Sequence, residues 1–256
     1  MKTLTFFSFP LHFLQVFFNG PRSGINFNDG FGGGHKISRN LVFNQCRQSG
    51  DHGPLNSWDR QPFLTDVRYG KDRPSYEAAD TEVNNNFIIA NYGGSQGFDN
   101  DDGSSWYNIH DNFIYGEGLK QDYGGHDSRY TNNVNVVHHY DGQNCMNTWP
   151  FLVGHEHSYT DNTCVVLYTW QYGNVGQLDG QHPRNSVCNA STMAPHTKCA
   201  LNLARNKYYT PYGNATLNKD VPLARLQSGG VELGSSVASL PSNDAIIAWG
   251  REKLDM

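Results

Sequence analysis

The chain has 256 residues, 37% hydrophobic, 13% aromatic and only 17% charged, with a formal net charge of −5. Its aromatic content excludes an intrinsically disordered chain, and the lack of a basic surplus excludes the electrostatic footprint of a nucleic-acid binder. With 27 glycines and many turn-forming residues, it reads as an all-β chain of a length that one domain can occupy.

Residues 1–18 carry Lys2 and then an apolar run, as a signal peptide does, but no small-residue cleavage site follows. A repeat already begins inside this run. Residues 1–13 are therefore read as a doubtful or truncated start, and 14–256 as one domain. No later stretch is long and apolar enough to suggest a membrane span.

A short pattern then recurs: an apolar residue, two polar residues, Asn, and a β-rich triplet. It reads Ile37-Ser-Arg-Asn40-Leu-Val-Phe43, Val83-Asn-Asn-Asn86-Phe-Ile-Ile89 and Ile109-His-Asp-Asn112-Phe-Ile-Tyr115. Looser copies follow at Tyr130–Val136 and Tyr159–Val165, around Asn133 and Asn162. Each interval suits one coil of a single-stranded right-handed parallel β-helix of about six to seven coils. The first interval carries a long loop insertion near 54–82. No coil can bury its own triplets, so stacking must do it. Asn at one turn position lets amides of successive coils bond to each other.

The loop carries Asp51-His-Gly-Pro-Leu-Asn-Ser-Trp-Asp-Arg60. Trp58 suits the apolar face of a sugar ring, and Arg60 with His52 suits an acidic substituent, so these three are candidate substrate-binding residues. Equally, Trp58 could simply pin the loop to the solenoid.

A longer alignment lays residues 16–30 over 89–103 at a constant offset of 73, with 118–124 in the same phase. Alternation then places Ile25, Phe98 and Leu119 inward, and Phe27, Asn100 and Gln121 in the next inward column. Outward columns are Asn26/Asp99/Lys120 and Asn28/Asp101/Asp122. Neighbours in one column lie about 4.8 Å apart, which makes Asp101 and Asp122 a close carboxylate pair and puts Lys120 beside Asp99. Like charges at that spacing need a cation, a shared proton or a basic neighbour. Asp99, Asp101, Lys120 and Asp122 are thus candidate catalytic residues, with Asn26 and Asn28 as substrate-binding neighbours. Asp101, Asp102 and Asp122 are candidate ligands of a Ca²⁺ ion. The alternative is a solvated acidic face. His126, just past the last strand, is a candidate general acid or base. His138-His139 and His155-Glu-His157 lack an evident third ligand, so no metal is assigned to them.

Among five cysteines, Cys188 and Cys199 are close enough in sequence to close a small loop in an exported protein. Asn189-Ala-Ser191 and Asn214-Ala-Thr216 are glycosylation sequons, and they too point to export.

The in-phase coils resemble the right-handed β-helix region of polysaccharide lyases and glycoside hydrolases, the pectate-lyase-like group. The C-terminal segments Asn206–Asn214, Leu223–Ser235 and Pro241–Ala248 strengthen the resemblance. There it implies an Asn-x-Tyr strand, a short helix with a Leu-Gln pair, and a Pro-Ser-Asp segment leading to a last apolar strand. It implies a secreted, monomeric protein acting on a polysaccharide, either as a hydrolase with Asp99 and Asp101 or as a lyase with Lys120 or His126 as base. Polygalacturonases carry three aspartates with a Gly-His-Gly and an Arg-x-Lys motif; neither Gly-His-Gly nor Arg-Ile-Lys occurs here. A non-catalytic carbohydrate-binding or cell-surface solenoid is the alternative.

Overall fold

In a computed structural model, residues 11–12, 15–28, 33–58, 79–90, 92, 94–122, 125–138, 144–149, 157–167, 173–175, 202–217, 221–228 and 230–255 are described. They form a parallel β-helix. Its first coil is β1 (Leu11–His12), β2 (Val16–Phe18) and β3 (Ile25–Asn28). The second is β4 (Lys36–Ser38), β5 (Leu41–Phe43) and β6 (Leu55–Trp58). The third is β7 (Thr81–Asn84), β8 (Phe87–Ile89) and β9 (Phe98–Asn100), and the fourth β10 (Tyr107–His110), β11 (Phe113–Gly116) and β12 (Leu119–Asp122). Three more follow: β13 (Arg129–Thr131), β14 (Val134–Val137), β15 (Met146–Trp149); β16 (Ser158–Thr160), β17 (Thr163–Val166), β18 (Gly173–Val175); and β19 (Asn202–Ala204), β20 (Lys207–Thr210), β21 (Thr216–Leu217). The chain closes with β22 (Val221–Pro222), α1 (Leu223–Ser228), β23 (Ser236–Ser239) and α2 (Asn243–Lys253). Corresponding strands of successive coils pair in parallel, making sheets of seven, eight and eight strands; only β21 and β22 pair antiparallel.

The turn between the first and second sheets explains the repeat. The residue before each Asn holds a left-handed conformation: Arg39, Asn85, Asp111, Asn132, Asp161 and Arg205 have φ of 53–60°. That conformation costs a side chain of ordinary size about 1 kcal/mol or more. The following Asn compensates. Asn86 donates both its backbone N–H and its side-chain N–H to Asn112 Oδ1, at 3.0 and 2.9 Å. The same double bond runs from Asn40 to Asn86, Asn112 to Asn133, Asn133 to Asn162 and Asn162 to Asn206. Asn206 extends the ladder one coil beyond the sequence pattern. Gln15 holds the equivalent backbone position in the first coil, where its carbonyl accepts from Leu41 N–H.

Inward columns fill the bore. Ile37, Val83, Ile109, Tyr130, Tyr159 and Leu203 come from the first sheet, and Leu55, Phe98, Leu119 and Met146 from the third. Ser57, Asn100, Gln121 and the Tyr130 hydroxyl form a hydrogen-bonded chain inside it. Leu223, Leu226 and Val231 join this core at the C-terminal end. Cys145 and Cys164, on successive coils, are disulfide-bonded; Cys188 and Cys199 lie outside the described residues.

Two expectations change. The second coil has its third-sheet strand at Leu55–Trp58, inside the stretch expected to be all insertion, so Asn56 stands between Asn26 and Asp99. The offset between coils one and three is 73 in the third sheet (Ile25 to Phe98) but 71 in the second (Val16 to Phe87), because the intervening corners differ in length. Second, residues 243–253 are helix rather than a last strand. Ser242 caps α2 by accepting from Ala245 N–H, and Ile246, Trp249 and Gly250 recur at helical spacing. They pack on the outer face of the second sheet, on Phe113, Val134, Val136 and Val165. A β-carbon at Gly250 would sit 3.3 Å from the Phe113 ring.

Candidate functional site

Four successive coils bring polar side chains to the corner between the second and third sheets. Arg22 comes from the first coil, Cys46, His52 and Trp58 from the second, Ser95 and Asp99 from the third, and Glu117 and Lys120 from the fourth.

Lys120 is the hub. Register puts it beside Asp99, and its Nζ lies 2.9 Å from Asp99 Oδ1, 3.4 Å from Asp101 Oδ1 and 3.2 Å from Ser95 Oγ. Three acceptors engage the three N–H bonds of the ammonium. The two aspartates therefore have their compensating charge inside the protein.

Asp99 does not face solvent as an outward strand position should: it is fully buried. The corner segments fold over it, so that a β-carbon on Gly53 would stand 3.0 Å from Asp99 Cβ. Asn56 donates its side-chain N–H to the Asp99 carboxylate at 3.2 Å, with its amide oxygen 2.8 Å from the Asn26 amide. Asp101 is the accessible carboxylate, 15% exposed. Strand pairing stops at Asn100 opposite Gln121, so Asp101 and Asp122 are not ladder partners, and Asp101 turns to Lys120 instead. Asp122 closes β12 opposite Trp149. Asp102 lies in the turn after Asp101. Among the described residues no group of three or more His, Cys, Asp or Glu side chains is arranged to hold a metal ion.

Trp58 is half-buried, with the Arg22 guanidinium 4.5 Å above its ring and the His52 ring edge-on at 5.7 Å. A cation on a tryptophan face is stabilised by the ring quadrupole. Among the described residues Arg22 has no ion-pair partner, and its Nε, like His52 Nδ1, is buried without a hydrogen bond. Burial, and then Arg22, hold the His52 pKa below its ordinary value, leaving a neutral imidazole near Asp101 and Lys120. Arg60 lies outside the described residues. Asn26 and Asn28 are exposed on the edge strand β3.

His126 belongs to a different place. It sits at the corner leading from the third sheet to the first, its Nδ1 2.8 Å from Asp127 and its ring against Trp106. Strand β12 separates that corner from Lys120's.

Arg22, Ser95, Cys46 and Glu117 escape a reading of strand columns because they stand in corners. Glu117 left one signal: it precedes a Gly and then an inward apolar residue, as Gln96 does before Gly97 and Phe98. Its carboxyl is buried, and burial, reinforced by Asp99, pushes its pKa up to about 8.

No helix among the described residues is long and apolar enough to cross a membrane. Comparison with family models, curated proteins and solved structures finds no match to the chain.

Proposed function

We propose that this is an exported, pectate-lyase-like protein that takes a polysaccharide at the corner built around Lys120 and cleaves it there. The observation that carries the reading is the convergence of His52, Trp58, Arg22, Asp101 and Lys120 from four coils on one corner. Trp58 offers an apolar ring to a sugar face, and Arg22 offers free N–H groups. Asp101, oriented by Lys120, and the neutral His52 supply an acid–base pair. Asp99 serves to hold Lys120. Lys120 neutralises both Asp99 and Asp101, and Asp99 is fully buried, which speaks against these two as the acid and base of an inverting hydrolase. Export is supported by the Cys145–Cys164 disulfide and by the exposed sequon residue Asn214.

A second reading is binding without cleavage, with Arg22, Trp58 and Asn26 as a recognition wall. The full engagement of Lys120 by protein acceptors favours it, because a lysine so held is not poised to take a proton from a substrate.

The test is a panel of neutral and acidic polysaccharides, assayed for binding, for new reducing ends and for unsaturated uronate products. Cleavage by the wild type, lost by at least about 100-fold in Asp101→Asn, supports the first reading. Binding without product, weakened in Trp58→Ala, supports the second. No binding to any member by the wild type overturns both.

A further inference from the structure

Glu117 stands apart from the other polar groups of the corner. It occupies the two-residue link between β11 and β12, flanked by two glycines packed against neighbouring backbone, and is fully buried. A β-carbon at Gly116 would lie 2.1 Å from Ala90 O, and one at Gly118 would lie 2.1 Å from Asn144 O. The carboxyl is therefore directed beneath the corners of the two preceding coils. A β-carbon at Gly94 would be 3.7 Å from Glu117 Oε2, 3.5 Å from Cys46 Sγ and 2.6 Å from His52 O. The Cys46 thiol, the free cysteine among the described residues, donates to His52 O at 2.8 Å and is buried.

Among the described residues, the charges around this carboxyl leave its ionised form without a counterion. The charged side chain that acts on it is Asp99, a second carboxylate that disfavours its ionised form. Lys120 is shared by Asp99 and Asp101, and Arg22 lies over Trp58. His52 is neutral, and burial with Glu117 and Asp99 pushes the Cys46 thiol up to about 12. Among the described residues neither carboxyl oxygen has a hydrogen-bond partner, and the Gly94 backbone N–H is the group that favours the ionised form. A buried, unpaired carboxylate is among the costliest groups a fold can hold.

We propose that Glu117 is a proton-dependent latch, whose ionisation frees the corner at Gly94–Gly97 and uncovers the Cys46 thiol. The same segment reaches the wall described above. Ser95 Oγ accepts from Lys120 Nζ at 3.2 Å, and Gln96 Oε1 accepts from Gly118 N–H at 3.1 Å. Opening therefore also releases Lys120 from Ser95. The latch does not depend on the carbohydrate reading and stands or falls separately from it.

The sign follows from linkage. The carboxyl titrates near 8 when closed and near its ordinary 4.5 when open. Opening thus releases a proton, and the open fraction rises about tenfold per pH unit between those values and levels above the higher one.

The experiment is alkylation of the intact protein with iodoacetamide, followed by mass analysis of the Cys46 peptide, from about pH 5.5 to 9.5. Thiolate formation alone raises the logarithm of the rate by about one per pH unit. Below pH 8 the wild type is expected to show a slope of about two and Glu117→Gln a slope of about one, both flattening as the pH passes the uncovered thiol's ordinary value of about 8.5. Hydrogen exchange on the wild type needs no variant. Amides of residues 94–97 should exchange in step with the thiol while those of β11 and β14 stay protected. Equal slopes in the two proteins, or a thiol that reacts only as fast as the β11 amides exchange, would overturn the latch.

Discussion

Asn206 donates its side-chain N–H to the Glu232 carboxylate at 3.1 Å, closing the asparagine ladder on a buried anion. Every amide upstream points its N–H toward the later coil and its oxygen toward the earlier one, so the aligned dipoles present their positive end at Asn206. The other carboxylate oxygen accepts from Tyr208 Oη at 2.7 Å, and Ser235 Oγ also donates to Glu232. Glu232→Gln turns a donor against this convergence of donors. It should lower stability by about 1–3 kcal/mol in urea denaturation, and an unchanged midpoint would show that the ladder needs no anion.

Inside the ladder the cost should be larger. Asn133 Oδ1 accepts from both Asn112 N–H groups, and its own Nδ2 donates to Ile109 O and Asn162 Oδ1. Asn133→Ala leaves several buried groups unpaired at once and should destabilise by about 3 kcal/mol. Exposed Asn132, one residue earlier, is the control. Its Asp111 contact is on the surface, and Asn132→Gly should cost little because the left-handed φ of 55° suits glycine.

Asn135 predicts the opposite sign. It faces the bore between Ile114 and Cys164, fully buried, with neither amide atom hydrogen-bonded. Asn135→Val removes two unsatisfied polar atoms from the core and should raise stability by about 1–2 kcal/mol. A lower melting temperature would mean that the amide has a partner, such as a buried water.

Two buried groups shape the pH dependence of stability in opposite directions. Glu117, raised to about 8, binds more protons folded than unfolded, so its contribution is complete below about pH 4.5 and is lost as pH rises toward 8. His157 is lowered to about 3 by burial and by His126, so its neutral form is favoured on folding, and stability is lost as pH falls below 6.5. The two slopes cancel between about 4.5 and 6.5, giving a plateau with a fall on either side. Glu117→Gln should remove the alkaline fall and His157→Gln the acidic one, measured as urea midpoints against pH.

The Cys145–Cys164 bridge closes a loop with a sequence separation of 19. Chain-entropy reasoning puts its contribution at about 3 kcal/mol. The Cys145→Ala/Cys164→Ala double variant should lose about that much while keeping its far-ultraviolet circular dichroism, since the coils on both sides retain their ladder.

The phase of the coils was legible because the turn chemistry is strict. From the second coil to the seventh a left-handed residue is followed by Asn, whose amide donates to the next coil and accepts from the preceding one. Hence Asn40, Asn86, Asn112, Asn133 and Asn162 mark the register directly, and Lys120 could be placed beside Asp99. The rung at Leu55–Trp58 was hidden because third-sheet strands carry no such marker. Their inward residues, Leu55 and Ser57, are ordinary in a loop as well. The last strand was misplaced because Ala245–Ala248 is apolar enough for either state, and only the Ser242 cap separates them.

The amino-acid sequence alone determined the solenoid, its periodicity and which residues share a column, since these follow from local backbone preference and stacking of identical turns. Only the tertiary structure decided which column positions see solvent. Asp99 is sealed beneath the corners while Asp101 is not, Glu117 points under two neighbouring coils, and α2 covers one outer sheet face. Corners vary in length from coil to coil, and what they cover depends on how far each one folds back over its neighbours.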